Sequence, residues 1–182
     1  MKNNLLKPLT AETAPAEVRP TLNHIQKAFG FVPNLMATFA NSPTVLHGYL
    51  AMDAVWEKGS FTPVEQNLVL LAASVANECG YCTAAHSTVL KGFLKVPAET
   101  VSAVRNGKTL GDPKQDALVK FTREIVNQRG HVSDATLNAF LSAGYGAPQA
   151  AEVLIGVALK TVSNYLDHFN PAPIDAAFAA EK

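Results

Sequence analysis

The stretch FTPVEQNLVLLAASVAN, residues 61–77, limits the fold more than any other part of the chain. Thr62 is a natural N-cap, Pro63 falls at the first helical position, and Glu65 completes a T-x-x-E capping box, so a helix starts here. The run behind that start is apolar on nearly every face. A helix of this kind has no side to offer water and must lie inside a packed core. LVLLAASVA is about half the length that a membrane-spanning helix needs, so the core in question is a protein's own.

Other helices are punctuated in the same way. Residues 1–15, with two prolines, read as an irregular arm. A first helix is predicted from roughly Glu17 to Phe29, ended by Gly30 and followed by a turn at FVPNL. Ser42-Pro43 opens a second, running to Lys58-Gly59. Asn77 breaks the buried helix, and a new one is predicted from near Glu78 to Lys91-Gly92. Pro97 opens a short helix ending at Asn106-Gly107. Asp112-Pro113 opens another, with Leu118, Phe121, Ile125 and Val126 on one stripe, stopping at Gly130. Ser133 caps a helix to about Ala143, and Pro148 begins the last, through Tyr165 or beyond. No alternating apolar-polar run marks a strand, so the chain is read as all-α. Gly59-Ser-Phe-Thr-Pro and Gly130-His-Val-Ser-Asp share a pattern of helix start; an internal duplication and two ordinary starts explain it equally well.

A length of 182 residues suits one domain, taken as 1–182. Fifteen basic residues balance fifteen acidic ones, which gives no electrostatic footprint for nucleic acid or an anionic membrane. Hydrophobic residues make up 48% and charged ones 16%, a globular composition that hints at apolar surface shared between subunits. The N-terminus has no apolar stretch suited to a signal peptide, so a soluble cytoplasmic protein is expected. Two cysteines cannot form a disulfide framework and should rest as thiols in a reducing compartment.

Those two cysteines lie in NECGYCTAAHS, residues 77–87. With Cys79 at the first turn of a helix, Cys82 lies at i+3 and His86 four further on, all on one face. A helix N-terminus favours thiolate over thiol, and a neighbouring imidazole can take the thiol proton. Such a pair can attack a peroxide O–O bond, form a sulfenic acid and condense to a disulfide, or exchange disulfides with a carrier. Two rival readings stand beside this. Free cysteines are often simply buried. Zinc would need four ligands, whereas His24, His47, His131 and His168 are scattered and give Cys79 and Cys82 no close-spaced partner. The redox reading leads, with no metal and no cofactor expected.

The stretch FTPVEQNLVLLAASVANECGYCTAAHSTVLKG, residues 61–92, resembles the alkylhydroperoxidase AhpD-like proteins of the carboxymuconolactone decarboxylase superfamily. The matching signature is an apolar helix ending in Asn-x-Cys-x-Tyr-Cys-x-x-Ala-His. FGFVPNLMATFANSP, residues 29–43, is similar to the peroxidase-related subgroup. The resemblance implies a helical bundle of paired hairpins, assembled as a trimer or hexamer. It implies reduction of a small-molecule hydroperoxide, with a dithiol protein as reductant. Cys82 would then attack the peroxide, Cys79 would resolve the product, and His86 would belong to the proton relay beside Cys82.

One position departs from the pattern. The best-known members carry a glutamate twelve residues before the first cysteine, and here that position is Asn67. Glu65 and Glu78 are the nearest substitutes, although Glu65 already serves the capping box and Glu78 suits a helix start in any case. Tyr81 could line the pocket or donate a hydrogen bond, with packing as the plainer role. Further on, SNYLDHFNP gathers Asn164, Tyr165, Asp167 and His168. His168 could approach the cysteine helix or simply complement a helix C-terminus. A muconolactone decarboxylase is one alternative, although decarboxylases of that group generally lack the cysteine pair. A redox sensor or scaffold is another, distinguished by the absence of turnover.

Overall fold

The computed structural model describes residues 5–182, and no strand occurs among them. In chain order the helices are α1 (Arg19–Phe29), α2 (Asn34–Phe39), α3 (Pro43–Trp56), α4 (Pro63–Ala76), α5 (Gly80–Thr88), α6 (Ala98–Arg105), α7 (Pro113–Asn127), α8 (Asp134–Ser142) and α9 (Ala147–Phe169). Short 3-10 turns occur at Ala16–Val18 and Ala176–Glu181, and α5 runs on into a π-turn at Val89–Phe93.

The helix starts follow the side chains read from the sequence. The hydroxyl of Thr62 accepts the Glu65 N–H at 3.3 Å, and Glu65 Oε2 accepts the Thr62 N–H at 2.9 Å, which completes the capping box of α4. Ser42, Asp112 and Ser133 cap α3, α7 and α8 through their side chains. FVPNL differs from expectation. It is not only a turn, because Asn34 opens the short helix α2 directly after Pro33. The reason is long-range: both carboxylate oxygens of Asp175, near the other end of the chain, accept the Asn34 N–H at 3.2 Å. The N-terminal arm is also tied down over its described part. Asn170 accepts the Leu6 N–H at 2.8 Å and donates to the Leu6 carbonyl at 2.9 Å.

α4 packs against α5, α6, α7 and α9, which explains its lack of a polar face. Val69 and Leu70 join a large core that includes Trp56, Phe121, Phe140 and both cysteines. Leu68, Leu71 and Ala72 point into a second core with Leu90, Val101, Val104 and Val119. One helix thus serves two apolar clusters. α9, of 23 residues, crosses it at a glycine. A Cβ on Gly156 would stand 2.8 Å from Val69 Cγ1 and 3.2 Å from the Trp56 ring.

The polarity of α9 is partly inverted. Lys160, Ser163, Asn164 and Asp167 are buried, whereas Leu154, Ile155, Val162, Tyr165 and Phe169 are exposed. No helix among the described residues is long and apolar enough to cross a membrane.

Replacing an exposed helical glycine by alanine stabilises by roughly 1 kcal/mol. At Gly156 the clash reverses the sign, and Gly156→Ala should destabilise by about 1–3 kcal/mol. Urea unfolding should show a lower midpoint at an unchanged slope. A raised midpoint would mean that the α4–α9 crossing has room to spare.

Candidate active site

The position of the dithiol is decided by how α4 ends. Glu78 adopts a left-handed backbone, with φ of 58°. Its N–H bonds to the Val75 carbonyl at 3.0 Å, and the Cys79 N–H reaches the Ser74 carbonyl at 3.0 Å. This is a Schellman ending, built here without glycine. Cys79 is both the last residue of that motif and the N-cap of α5: its sulfur accepts the Cys82 N–H at 3.4 Å. The expected start of this helix near Glu78 is therefore corrected to Gly80. Glu78 precedes the helix in a conformation that no helical residue adopts. The same two hydrogen bonds bring Cys79 and Cys82 together, both free thiols and both buried.

Helix α9 supplies most of their surroundings. Cys82 Sγ lies 3.8 Å from the Ser163 hydroxyl. A hydrogen bond from Cys79, the Lys160 ammonium and Ser163 favour the Cys82 thiolate against the opposing effect of burial. Together they lower its pKa to about 6. Lys160 is only 2% exposed, and burial opposes its charge. Cys82, Tyr49, Cys79 and Asp53 nevertheless hold its pKa above the ordinary lysine value. A buried ammonium of this kind persists only where anions answer it. Asp53, on α3, is driven up to about 6 by burial and by Glu57, while Lys160 pulls the other way.

His86 is half-buried, and both of its ring nitrogens are engaged. Lys160 Nζ donates to Nε2 at 2.8 Å, and Nδ1 lies 3.4 Å from Asn67 Oδ1. Asn67 Nδ2 donates to the Pro63 carbonyl at 3.1 Å, which turns its oxygen toward the histidine. The imidazole is therefore neutral, with its proton on Nδ1. Burial and then the Lys160 charge push its pKa well below the usual value. His86 faces Asn67 and Lys160 directly, and it is Lys160 that carries positive charge to Cys82.

Cys79 is in the opposite electrical state. Its single S–H has two acceptors within reach, the Cys82 sulfur and Asp167 Oδ2 at 3.5 Å. The hydrogen bond to Cys82, burial, and the negative charges of Cys82 and Asp167 push its pKa far up. Cys79 and Asp167 line a cavity of about 590 Å³, together with Glu78, Arg105 and Lys182. The C-terminal segment walls this cavity through Ala172 and Ile174.

Other residues singled out from the sequence are placed elsewhere. The Glu65 carboxylate takes the Tyr145 hydroxyl at 2.7 Å besides its capping bonds, and lies 3.7 Å from Lys114 Nζ. Tyr81 donates to Asp175 and accepts the Leu35 N–H at 3.3 Å, so it anchors the C-terminal segment. Phe178 packs edge-on against the same ring. His168 stacks on Tyr165 in the last turn of α9. Asn164 accepts from Asn77 Nδ2 at 3.0 Å, pinning α9 to the end of α4. Lys160, Ser163, Tyr49 and Asp53 escaped the sequence reading. The available signal was the polar spacing Lys160, Ser163, Asp167 along an otherwise apolar helix, which places three polar groups on one face. Among the described residues, no group of three or more His, Cys, Asp or Glu is placed to hold a metal ion.

The family model of the carboxymuconolactone decarboxylases matches residues 43–124. No curated protein matches the chain by sequence. Among solved structures, one similar fold is an alkylhydroperoxidase AhpD core, an uncharacterized peroxidase-related protein from Ralstonia eutropha JMP134. Its TM-score is 0.84 at 24% identity, over 94% of this chain and 92% of that one. The debrominase Bmp8 aligns with a TM-score of 0.83 at 19% identity, over 100% of this chain and 97% of its own. A cysteine-to-alanine variant of that debrominase, in complex with 2,3,4-tribromopyrrole, aligns with a TM-score of 0.81 at 20% identity, over 98% and 96% of the two chains.

If Lys160 holds the Cys82 thiolate, Lys160→Met must raise the pH at which Cys82 becomes reactive. Alkylation of Cys82 by iodoacetamide, followed by mass spectrometry, should show a midpoint near 6 in the parent protein. In the variant it should move upward by at least about one pH unit, since a lost opposite charge is worth about 1–3 units. An unmoved midpoint would assign the thiolate to other groups.

Proposed function

We propose that this chain, a member of the carboxymuconolactone decarboxylase superfamily with the AhpD-type fold, is a thiol-dependent oxidoreductase that reduces hydroperoxides. The observation that carries the reading is the unequal dithiol. A hydrogen bond from Cys79, the Lys160 charge and Ser163 lower the Cys82 pKa to about 6, whereas Cys82, burial and Asp167 push that of Cys79 far up. A nucleophile and a resolving thiol need that difference.

The reaction then proceeds in three steps. The Cys82 thiolate attacks the terminal peroxide oxygen and the O–O bond breaks. The departing alkoxide takes a proton from the Lys160 ammonium, leaving an alcohol and a sulfenic acid on Cys82. Cys79 next displaces the hydroxyl oxygen as water, and the disulfide forms. Finally a dithiol partner attacks Cys79, the sulfur that faces the cavity, and Cys82 leaves as the stabilised thiolate. His86 acts through Lys160: it accepts one ammonium proton and steadies the cation, and Asn67 fixes the ring. The absence of a carboxylate at position 67 suits this arrangement, because His86 serves as an acceptor and not as an acid.

A second reading is favoured by the debrominase neighbour, whose fold is matched over the whole of this chain. The same two thiols could supply two electrons to a carbon–bromine bond, giving C–H, bromide and the disulfide. Both substrates draw on one redox centre. They differ in product.

Self-association is part of the proposal. The exposed stripe of Leu154, Ile155, Val162, Tyr165 and Phe169 on α9 is an apolar face that a second copy could cover, and a trimer or hexamer is expected by light scattering. A monomer at micromolar concentration would remove this element.

The central test is steady-state consumption of hydrogen peroxide and an organic hydroperoxide with a generic dithiol. Cys82→Ser should abolish it, and Cys79→Ser should leave a sulfenic acid on Cys82 that a dimedone probe traps. Unchanged turnover in Cys82→Ser would sink the assignment, and trapping on Cys79 would exchange the two roles. Bromide release from a bromopyrrole without peroxide turnover would favour the second reading. A single equivalent consumed, despite ample reductant, would point to a sensor.

A further inference from the structure

The resemblance implies a carboxylate at position 67, where the chain has Asn67. A carboxylate is nevertheless present at the dithiol, and it comes from the other end of the sequence. Asp167, on α9, is buried with 8% exposure. Its Oδ2 lies within hydrogen-bond reach of the Cys79 thiol at 3.5 Å, and its Oδ1 accepts the Ala172 N–H at 2.9 Å. The second bond fixes the carboxylate, so that its free oxygen is aimed at the sulfur. Asp167 and Cys79 share the wall of the 590 Å³ cavity, whereas Cys82 lies behind them.

We propose that Asp167 is a catalytic residue, the general base that takes the proton of Cys79 when this thiol attacks oxidised Cys82. The proposal rests on the dithiol reading given above and assigns the base for its second step. Such a base is needed because Cys79 does not ionise readily: even with Cys82 oxidised and its negative charge gone, burial and the Asp167 charge still push its pKa up. One face of α9 thereby treats the two sulfurs in opposite ways. Lys160 gives Cys82 a counter-charge, and Asp167, seven residues on, gives Cys79 a proton acceptor.

The balance of the step is complete. The Cys79 S–H bond breaks and its proton passes to Asp167 Oδ2. The sulfur's electron pair attacks Cys82 Sγ, the S–S bond forms and the Cys82 S–O bond breaks. Hydroxide leaves with that electron pair and becomes water on taking a proton from Lys160, which has by then recovered from solvent the proton it gave to the alkoxide. Asp167 then returns its proton toward the cavity and Lys160 regains one. Cys79 sulfur is oxidised and Cys82 sulfur is reduced, with no outside reagent consumed.

Excess hydrogen peroxide oxidises a protein thiolate whether or not the protein is an efficient peroxidase, so the resolving step can be timed alone. In a single-turnover experiment, rapid quenching and intact mass distinguish the sulfenic acid, heavier by one oxygen, from the disulfide, lighter by two hydrogens. In the parent protein the disulfide should appear without visible sulfenic acid. In Asp167→Asn, which keeps an acceptor for Ala172, resolution should slow by about 100-fold and sulfenic acid should accumulate. Asp167→Glu should recover part of the rate.

A pH series separates base catalysis from a packing effect. Without the base, resolution should climb with pH as Cys79 ionises unaided, while the parent rate stays nearly level. The groups acting on Cys79 from behind are Cys82 and Lys160, and besides Asp167 the titratable or charged groups on the cavity are Glu78, Tyr81, Arg105 and Lys182, which both proteins share. Resolution in Asp167→Asn at the parent rate would overturn the proposal, as would equal slowing of both steps with no sulfenic acid seen. Failure of steady-state hydroperoxide turnover in the parent would remove the hydroperoxidase reading and leave this assignment to the single-turnover result.

Discussion

A helix without a polar face has to be wrapped, and most of this structure is a consequence of wrapping α4. Four helices close around it, and its side chains feed two separate apolar cores. Because it is enclosed, its C-terminal end cannot fray into water. It must be finished by backbone hydrogen bonds in a small space, which the left-handed Glu78 and the Ser74 and Val75 carbonyls provide. That compact ending delivers Cys79 to the first position of α5 and folds its sulfur back toward Cys82. The two thiols are thus held by the ending of a core helix, a far stiffer support than a loop would be.

The second organising feature is a charge placed where charge is costly. Lys160 sits where α9 meets α3 and α5, buried at the edge of the main core. Removing an ammonium from water is tolerated only if nearby groups replace the lost hydration. His86 does so through a hydrogen bond, and Cys82, Tyr49 and Asp53 through electrostatic attraction. The arrangement is mutual. The lysine is kept charged by the thiolate, and the thiolate is kept ionised by the lysine.

Much of this was legible in the residues themselves. The capping box at Thr62 and Glu65 and the prolines and hydroxyls at helix starts act within one turn, and the structure repeats them closely. Cys79 and Cys82 are three apart, so their contact is also a local matter. His86 was legible as part of the cysteine helix, one turn after Cys82, but its partners were not. They are Asn67, nineteen residues away, and Lys160, seventy-four residues away. α2 was missed for a similar reason, since the group that accepts the Asn34 N–H is Asp175, far along the chain.

The apolar stripe on α9 would ordinarily be read as its core face, yet Leu154, Val162 and Tyr165 point outward, and Lys160, Ser163 and Asp167 point in. Hydrophobic periodicity shows that a helix has two faces but does not say which one a neighbouring helix will cover. By itself the sequence determined the all-helical architecture, the helix starts and the adjacency of two thiols, because these depend on short-range hydrogen bonds and on the need to bury α4. Only the tertiary structure decided which thiol is ionised and which is protonated. Beyond the hydrogen bond between the two sulfurs, the balance is tipped by burial and by one cation and one carboxylate that α9 brings across the molecule, and electrostatic interaction depends on distance in space, with no regard for position along the chain.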